Sequence, residues 1–459
     1  MAKRVSQVPD RTVRAGPPSA TRRGGVLLAT VIASTGGVLF GYGTGVLSGA
    51  QLAIRREFAL GPWEQGALVA AALLGAAVAA PSSGALADRL GRKKVILLLA
   101  LVYAVGTLST AFAGSSPALL VGRAVVGLAL GASSSVVPLY ISEISPPGRR
   151  GLLVTLNQLM ITVGILASFV VDYTLSGSGN WRLMLGLAVL PALVLGVGAC
   201  FVQESPRWLA ARGRHAEAAV AAASFTMPPP PPLASGPHDG SGASPARPSP
   251  PGRASRRFLR MTVAMAFAVQ LTGLNTAIYY APTILTAGGS GITSSVLGSV
   301  LVGIVNLLMA VVSMALLDRT GRRPLFLGGL CVMGVTSLGI SASSATGHQG
   351  GALTVFLLCV FIAAGAVGPA PIFWVYISEI FPQEIRGRAM GWATAAHWSA
   401  DTLVALTFVS LVHYLTFSGA FLLYAGVTAV SLAVFSRAMV ETRGRSLEEI
   451  ARETGQGQS

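Results

Sequence analysis

Charge is scarce in this chain. Only 11% of its 459 residues are Asp, Glu, Lys or Arg, against 52% hydrophobic, where a soluble domain carries about a quarter charged residues. The three cysteines, Cys200, Cys331 and Cys359, have neither the CxxC nor the Cys/His spacing of a metal site or redox pair. That excludes a disulfide framework, and the apolar context predicts buried small hydrophobes. Nucleotide loops, metal-ligand clusters and a credible nucleophile–base pair are also missing. The expectation is therefore no enzyme, no catalytic residues, no metal and no cofactor.

The acidic side of the balance is thin, with 17 acidic residues against 33 basic ones and a net charge of +16. Nucleic acid would need those cations in one patch or an aromatic-lined groove. Here they punctuate the gaps between apolar runs, so a nucleic-acid partner is not expected. Runs of twenty or more apolar residues recur along the chain, long enough to cross a bilayer as helix. Hydropathy places spans near 26–48, 63–85, 93–113, 117–140, 151–173 and 182–202. A second set follows near 258–286, 293–317, 323–345, 351–377, 389–412 and 417–437. Of the basic residues, 29 fall in the tails and in alternate loops on one side. By the positive-inside bias both termini are cytoplasmic. The first apolar run is too long for a cleaved leader and reads as a retained helix.

The chain is internally duplicated. Residues 140–151 read YISEISPPGRRG and residues 376–387 read YISEIFPQEIRG, identical at eight positions and 236 residues apart. Residues 88–93 (DRLGRK) likewise answer 318–323 (DRTGRR), and Glu204 answers Glu441 more loosely. Parallel repeats in a membrane chain are a signature of two-bundle transporters. The predicted architecture is an all-α membrane protein with 12 transmembrane helices in two pseudosymmetric six-helix bundles. A tail (1–25) precedes an N-terminal bundle (26–203), and a loop (204–257) leads to a C-terminal bundle (258–437) and a second tail (438–459). Within the loop, residues 228–251 hold ten prolines and read as a flexible linker, while the segment from Trp208 suits a short surface helix.

Further elements join these: GGVLFGY at 36–42, RAVVG at 123–127, NQL at 157–159, ESPRWL at 204–209, QLTGLN at 270–275, Tyr279-Tyr280 and ETRGRS at 441–446. In this order and spacing the chain resembles the sugar porter branch of the major facilitator superfamily across nearly all of both bundles. The resemblance implies a monomeric carrier in the plasma membrane that moves a small neutral sugar or polyol by alternating access. It further implies a cytoplasmic salt-bridge gate of Asp88, Arg89, Arg92, Glu143, Arg150 and Glu204 with Asp318, Arg319, Arg322, Glu379, Arg386 and Glu441. Exposed ion pairs are worth only about 0–1 kcal/mol each, which suits a gate that must break cheaply.

A polyol needs amides, hydroxyls and an aromatic face. Gln158, Gln270, Asn275, Asn306, Trp374 and His397 supply that chemistry, with Tyr279 and Tyr280 as the outer lid; intramembrane polar residues mark such sites. Gly273, Pro282 and the Gly368–Pro371 stretch should interrupt helices 7 and 10. Two positions depart from the family. Val269 stands where the first of paired glutamines is usual, and His397-Trp398 where Asn or Gln precedes Trp. Proton-coupled members carry an aspartate at the position of Gly43, opposite Arg123. Its absence favours uniport. His397 and Asp401 are four residues apart on one helix face, and this keeps proton symport, involving Arg123, as an alternative. A non-transporting sugar sensor is a further alternative, disfavoured by the short C-terminal tail.

Overall fold

Inside lipid a backbone amide finds no water, so each apolar run must close its own hydrogen bonds as helix. A computed structural model of the chain describes residues 20–146, 149–228, 253–286, 291–348, 351–381 and 383–443. The proline-rich segment and most of both tails lie outside the described residues. Those described are helical, without strands.

The first crossing is α1 (Ala20–Gly45) continued by α2 (Leu47–Phe58), and α3 (Pro62–Leu90), α4 (Arg92–Ala111), α5 (Ser116–Ile144) and α6 (Arg150–Leu175) follow. The sixth crossing joins α7 (Trp181–Gly186) to α8 (Val189–Phe201). Two short helices, α9 (Pro206–Ala211) and α10 (His215–Ser224), fill the connection where one surface helix was expected. The seventh crossing is broken into α11 (Arg253–Leu271), α12 (Leu274–Tyr279) and α13 (Ala281–Thr286). Then come α14 (Ile292–Thr320), α15 (Arg322–Ala345), and α16 (Ala352–Val367) with α17 (Pro369–Glu379) as one interrupted crossing. The last helix, α18 (Gln383–Ala438), contains two crossings, because Thr416 (φ 64°, ψ 172°) leaves the helical region between them. With that division, twelve crossings form two six-helix bundles.

The duplication is visible in the backbone. Gly91 turns from α3 to α4 at φ 96° and ψ 155°, and Gly321 turns from α14 to α15 at φ 98° and ψ 163°. A Cβ at either would strike a carboxylate, that of Glu204 at 2.4 Å or that of Glu441 at 2.8 Å. Only glycine meets both demands at these corners.

Large apolar side chains such as Leu101, Val121, Phe201, Val335 and Phe356 are exposed. Their solvent is the acyl chains, so the outer face of the bundle costs nothing to leave apolar. Cys200 and Cys331 share that exposed surface. Their expected burial is therefore incorrect: an apolar setting in the sequence marks lipid contact as readily as core.

Candidate functional site

The seventh crossing breaks where glycine permits it. Gly273 adopts φ 81° and ψ 17°, ending one helical run and starting the next. A Cβ there would lie 2.5 Å from the Tyr424 ring. The break turns Gln270 and Asn275 toward the eleventh crossing. Gln270 Nε2 lies 2.8 Å from His397 Nε2, and Asn275 Nδ2 donates to Asp401 Oδ2 at 2.9 Å. One turn further, Tyr279 Oη donates to the same carboxylate oxygen at 2.8 Å. Tyr280 is fully buried, donates to the Ala405 carbonyl at 2.7 Å and packs on Phe408.

Aromatic rings surround His397. Phe373 stacks on it at 4.7 Å, Trp374 is tilted at 5.0 Å and Trp398 meets it edge-on at 5.6 Å. Trp374 reaches this place because Gly368 (φ −109°, ψ −94°) and Pro369 interrupt the tenth crossing. Since the Gln270 amide donates to His397 Nε2, the imidazole proton sits on Nδ1. Among the described residues that atom has no partner, and neither do Gln270 Oε1, Asp401 Oδ1 and Trp398 Nε1, all buried. A buried polar atom without a partner is costly, which makes these four the natural contacts for a hydroxylated ligand. Together they offer two donors and two acceptors beside an indole face.

His397 and Asp401 are each held by a different residue of the seventh crossing rather than by each other. Asn306 is buried on α14, where Gly303 packs closely against Leu166 and Phe169 of α6. Gln158 is exposed, and no hydrogen bond ties it to the cluster among the described residues. Its neighbour Asn157 is the buried amide, packed on Gly37 with Oδ1 unpartnered among the described residues. Asp172 on α6 is fully buried, accepting from the Gly49 amide at 3.0 Å.

The halves meet at the end opposite the basic loops. Gln51 Nε2 donates to the Tyr279 carbonyl at 3.2 Å and to Thr283 Oγ1 at 2.9 Å. Gly66 presses on the Leu406 carbonyl so closely that a Cβ would be 2.2 Å from it. Phe40 and Trp398 close the middle at 5.3 Å. Gln51 was not picked out from the sequence; an amide in an apolar run was the signal available.

At the basic end each half forms its own charge cluster. Arg92 makes two 2.9 Å bonds to Glu143 and also pairs with Asp88, while Glu204 accepts from the Arg92 and Lys93 amides. In the other half Arg322 bonds Glu379 at 2.7 and 3.1 Å, and Glu441 accepts from the Arg322 and Arg323 amides. Burial alone would raise the Glu441 carboxyl, but the amides of Arg322, Arg443, Arg323 and Thr442 outweigh it and hold the group below its ordinary value. Arg89 and Arg319 are exposed, and their carbonyls accept from Arg212 and Arg443. The side chains of Arg150, Asp318 and Arg386 lie outside those described.

Two six-helix bundles closed at one end around a polar midplane define a carrier of the major facilitator fold. The structure superposes on the E. coli xylose transporter XylE in its inward-open conformation with a TM-score of 0.80. The two share 26% identity over 93% of this chain and 99% of that one. Against the same proton:xylose symporter bound to 6-bromo-6-deoxy-D-glucose the TM-score is 0.74, at 25% identity over 94% and 99% of the two chains. The sequence pattern of the family described as "Sugar (and other) transporter" matches residues 29–453. The chain belongs to this sugar transporter family. Among its relatives, the D-xylose transporter of Levilactobacillus brevis is 35% identical over 90% of this chain and 93% of its own length. The glucose transporter GlcP of Staphylococcus epidermidis is 35% identical over 92% and 96%.

Proposed function

We propose that this sugar transporter is a facilitative uniporter of a monosaccharide or related polyol, working as a monomer in the plasma membrane with both termini cytoplasmic. The observation that carries the binding site is the set of unpartnered polar atoms on Gln270, His397, Trp398 and Asp401 beside Trp374. Gln270, Asn275, His397, Asn306 and Trp374 hold the sugar, joined by Gln158 from the N-terminal half. Tyr279 and Tyr280 are the outer lid, and closing the two charge clusters at the basic end against each other forms the inner gate. Uniport follows from Gly43, which has no group to carry a proton where proton-coupled relatives have an aspartate.

One observation favours a second reading. Asp401 is a buried carboxylate with Oδ1 free, one turn from His397, so sugar bound there sits against a group able to exchange a proton. Counterflow of labelled hexoses, pentoses and inositol in reconstituted vesicles, with a pH dye outside, separates the readings. Uniport gives counterflow without external pH change, and it persists when the proton gradient is collapsed. External alkalinisation on adding sugar would replace uniport by symport through Asp401. Binding with no flux of any sugar would leave only the sensor reading.

A further inference from the structure

Arg123 sits in the middle of α5 and is 3% exposed. Its one hydrogen bond among the described residues runs from Nη2 to the Gly43 carbonyl at 3.1 Å, and Nε has no partner. Among the described residues no ion pair involves it. The buried carboxylates of the midplane are engaged elsewhere: Asp401 by Asn275 and Tyr279, Asp172 by the Gly49 amide.

The guanidinium borders a small cavity, with about 10 Å³ open to the centres of water-sized spheres, lined also by Gly43, Tyr103, Thr107, Thr110 and Val46. The space exists because residue 43 is glycine: a Cβ there would stand 2.8 Å from the Tyr103 hydroxyl. A water in this place would satisfy hydrogen bonds but bring no charge. In a low-dielectric interior, an arginine that cannot give up its proton then remains uncompensated. What the site lacks is one negative charge of small radius, with the unpartnered guanidinium N–H beside the space to donate to it, the Thr110 hydroxyl being committed to the Gly106 carbonyl.

We propose that the Arg123–Gly43 cavity binds a single halide ion, chloride under ordinary conditions, which supplies the counter-charge that the chain itself does not. The ion ties α1, α4 and α5 together within the N-terminal half and is separate from the sugar cluster.

Thermal unfolding of the purified full-length carrier, with chloride or bromide exchanged for gluconate at constant ionic strength, tests this. The expected result is an unfolding midpoint that rises with the logarithm of halide concentration and not with gluconate, since a ligand specific to the folded state at concentration c stabilises it by RT ln(1 + c/Kd). Arg123→Gln should remove the dependence. Gly43→Asp combined with Tyr103→Phe, which tethers a carboxylate in the same space, should remove it as well. A midpoint indifferent to the anion overturns the proposal and leaves the cavity to water. Halide dependence that persists in either folded variant also overturns it, by placing the ion elsewhere. Should neither variant fold, a bromide soak of crystals of the unaltered carrier decides. An anomalous peak within hydrogen-bonding distance of the Arg123 guanidinium sustains the proposal, and its absence at that position ends it.

Discussion

In the N-terminal half Arg92 is clasped by Glu143 and capped at its amide by Glu204. In the C-terminal half Arg322 is clasped by Glu379 and capped by Glu441. Gly91 and Gly321 make the same left-handed turn beside them. At mid-membrane the likeness ends. The N-terminal half presents glycines packed on backbone and the buried Arg123, whereas the C-terminal half presents Gln270, Asn275, Tyr279, His397 and Asp401 bonded across two broken or adjoining helices. Symmetric ends let two rigid halves rock about a shared axis. An asymmetric middle fits the proposed site, in which the C-terminal half supplies most of the sugar contacts.

The strongest way to break this picture is to stop the halves from closing. Gly66→Leu places a side chain against the Leu406 backbone, where even a Cβ would lie 2.2 Å from the carbonyl oxygen. Counterflow should fall to background while sugar binding survives. Gly84→Leu on the same helix, where nothing lies within 4 Å, should transport normally. If Gly66→Leu still transports, closure at that end is not part of the cycle.

Next in size are the amides proposed to hold the sugar. Gln270→Ala and Asn275→Ala should each weaken sugar affinity about tenfold or more, a loss of roughly 1.4 kcal/mol, in binding titrations of purified protein. Gln158→Ala should weaken it less. Equal losses in all three would show that the two halves share the ligand evenly and would blunt the asymmetry.

The charged repeats made the two-bundle architecture legible, because charge is rare in this chain and each recurrence therefore stands out. The breaks at Gly273 and Gly368 were legible for a similar reason, since glycine and proline punctuate helices wherever they occur. Partner choice was not. The i, i+4 spacing of His397 and Asp401 suggested a pair, but once the seventh crossing bends at Gly273, each is bonded by a different residue of that segment. Helical spacing fixes which face a residue is on and says nothing of what packs there. The exposed cysteines, Cys200 and Cys331, were misread for the complementary reason: in a chain that is apolar throughout, hydropathy cannot tell lipid from core.

Within the symmetric ends one difference can be sharpened. The Arg92–Glu143 side chains are 8% and 9% exposed, against 12% and 30% for Arg322 and Glu379. Removing one partner of a buried pair strands the other, at about 3–5 kcal/mol, and the cost falls as water reaches it. Glu143→Gln should therefore lower the unfolding midpoint more than Glu379→Gln. Both should change turnover, and sugar affinity only through the inward–outward balance. Equal destabilisation would show that the two ends are equivalent in energy as well as geometry.

The smallest effect is expected at Glu441. Its carboxyl titrates below the ordinary 4.5 when folded, because the Arg322, Arg443, Arg323 and Thr442 amides outweigh the opposing effect of burial. A carboxyl whose folded value is depressed contributes stability above its unfolded value, and loses that contribution as pH falls through the folded value. Glu441→Gln should thus be less stable than the unaltered carrier at neutral pH, and the two unfolding midpoints should converge as the pH drops below about 4. The group is partly exposed, so the gap will be small, and high salt should shrink it little because the donors are backbone amides rather than ions. A gap that instead widens on acidification would mean that the C-terminal cap is held by its packing against the Gly321 turn, and that the carboxylate charge contributes nothing.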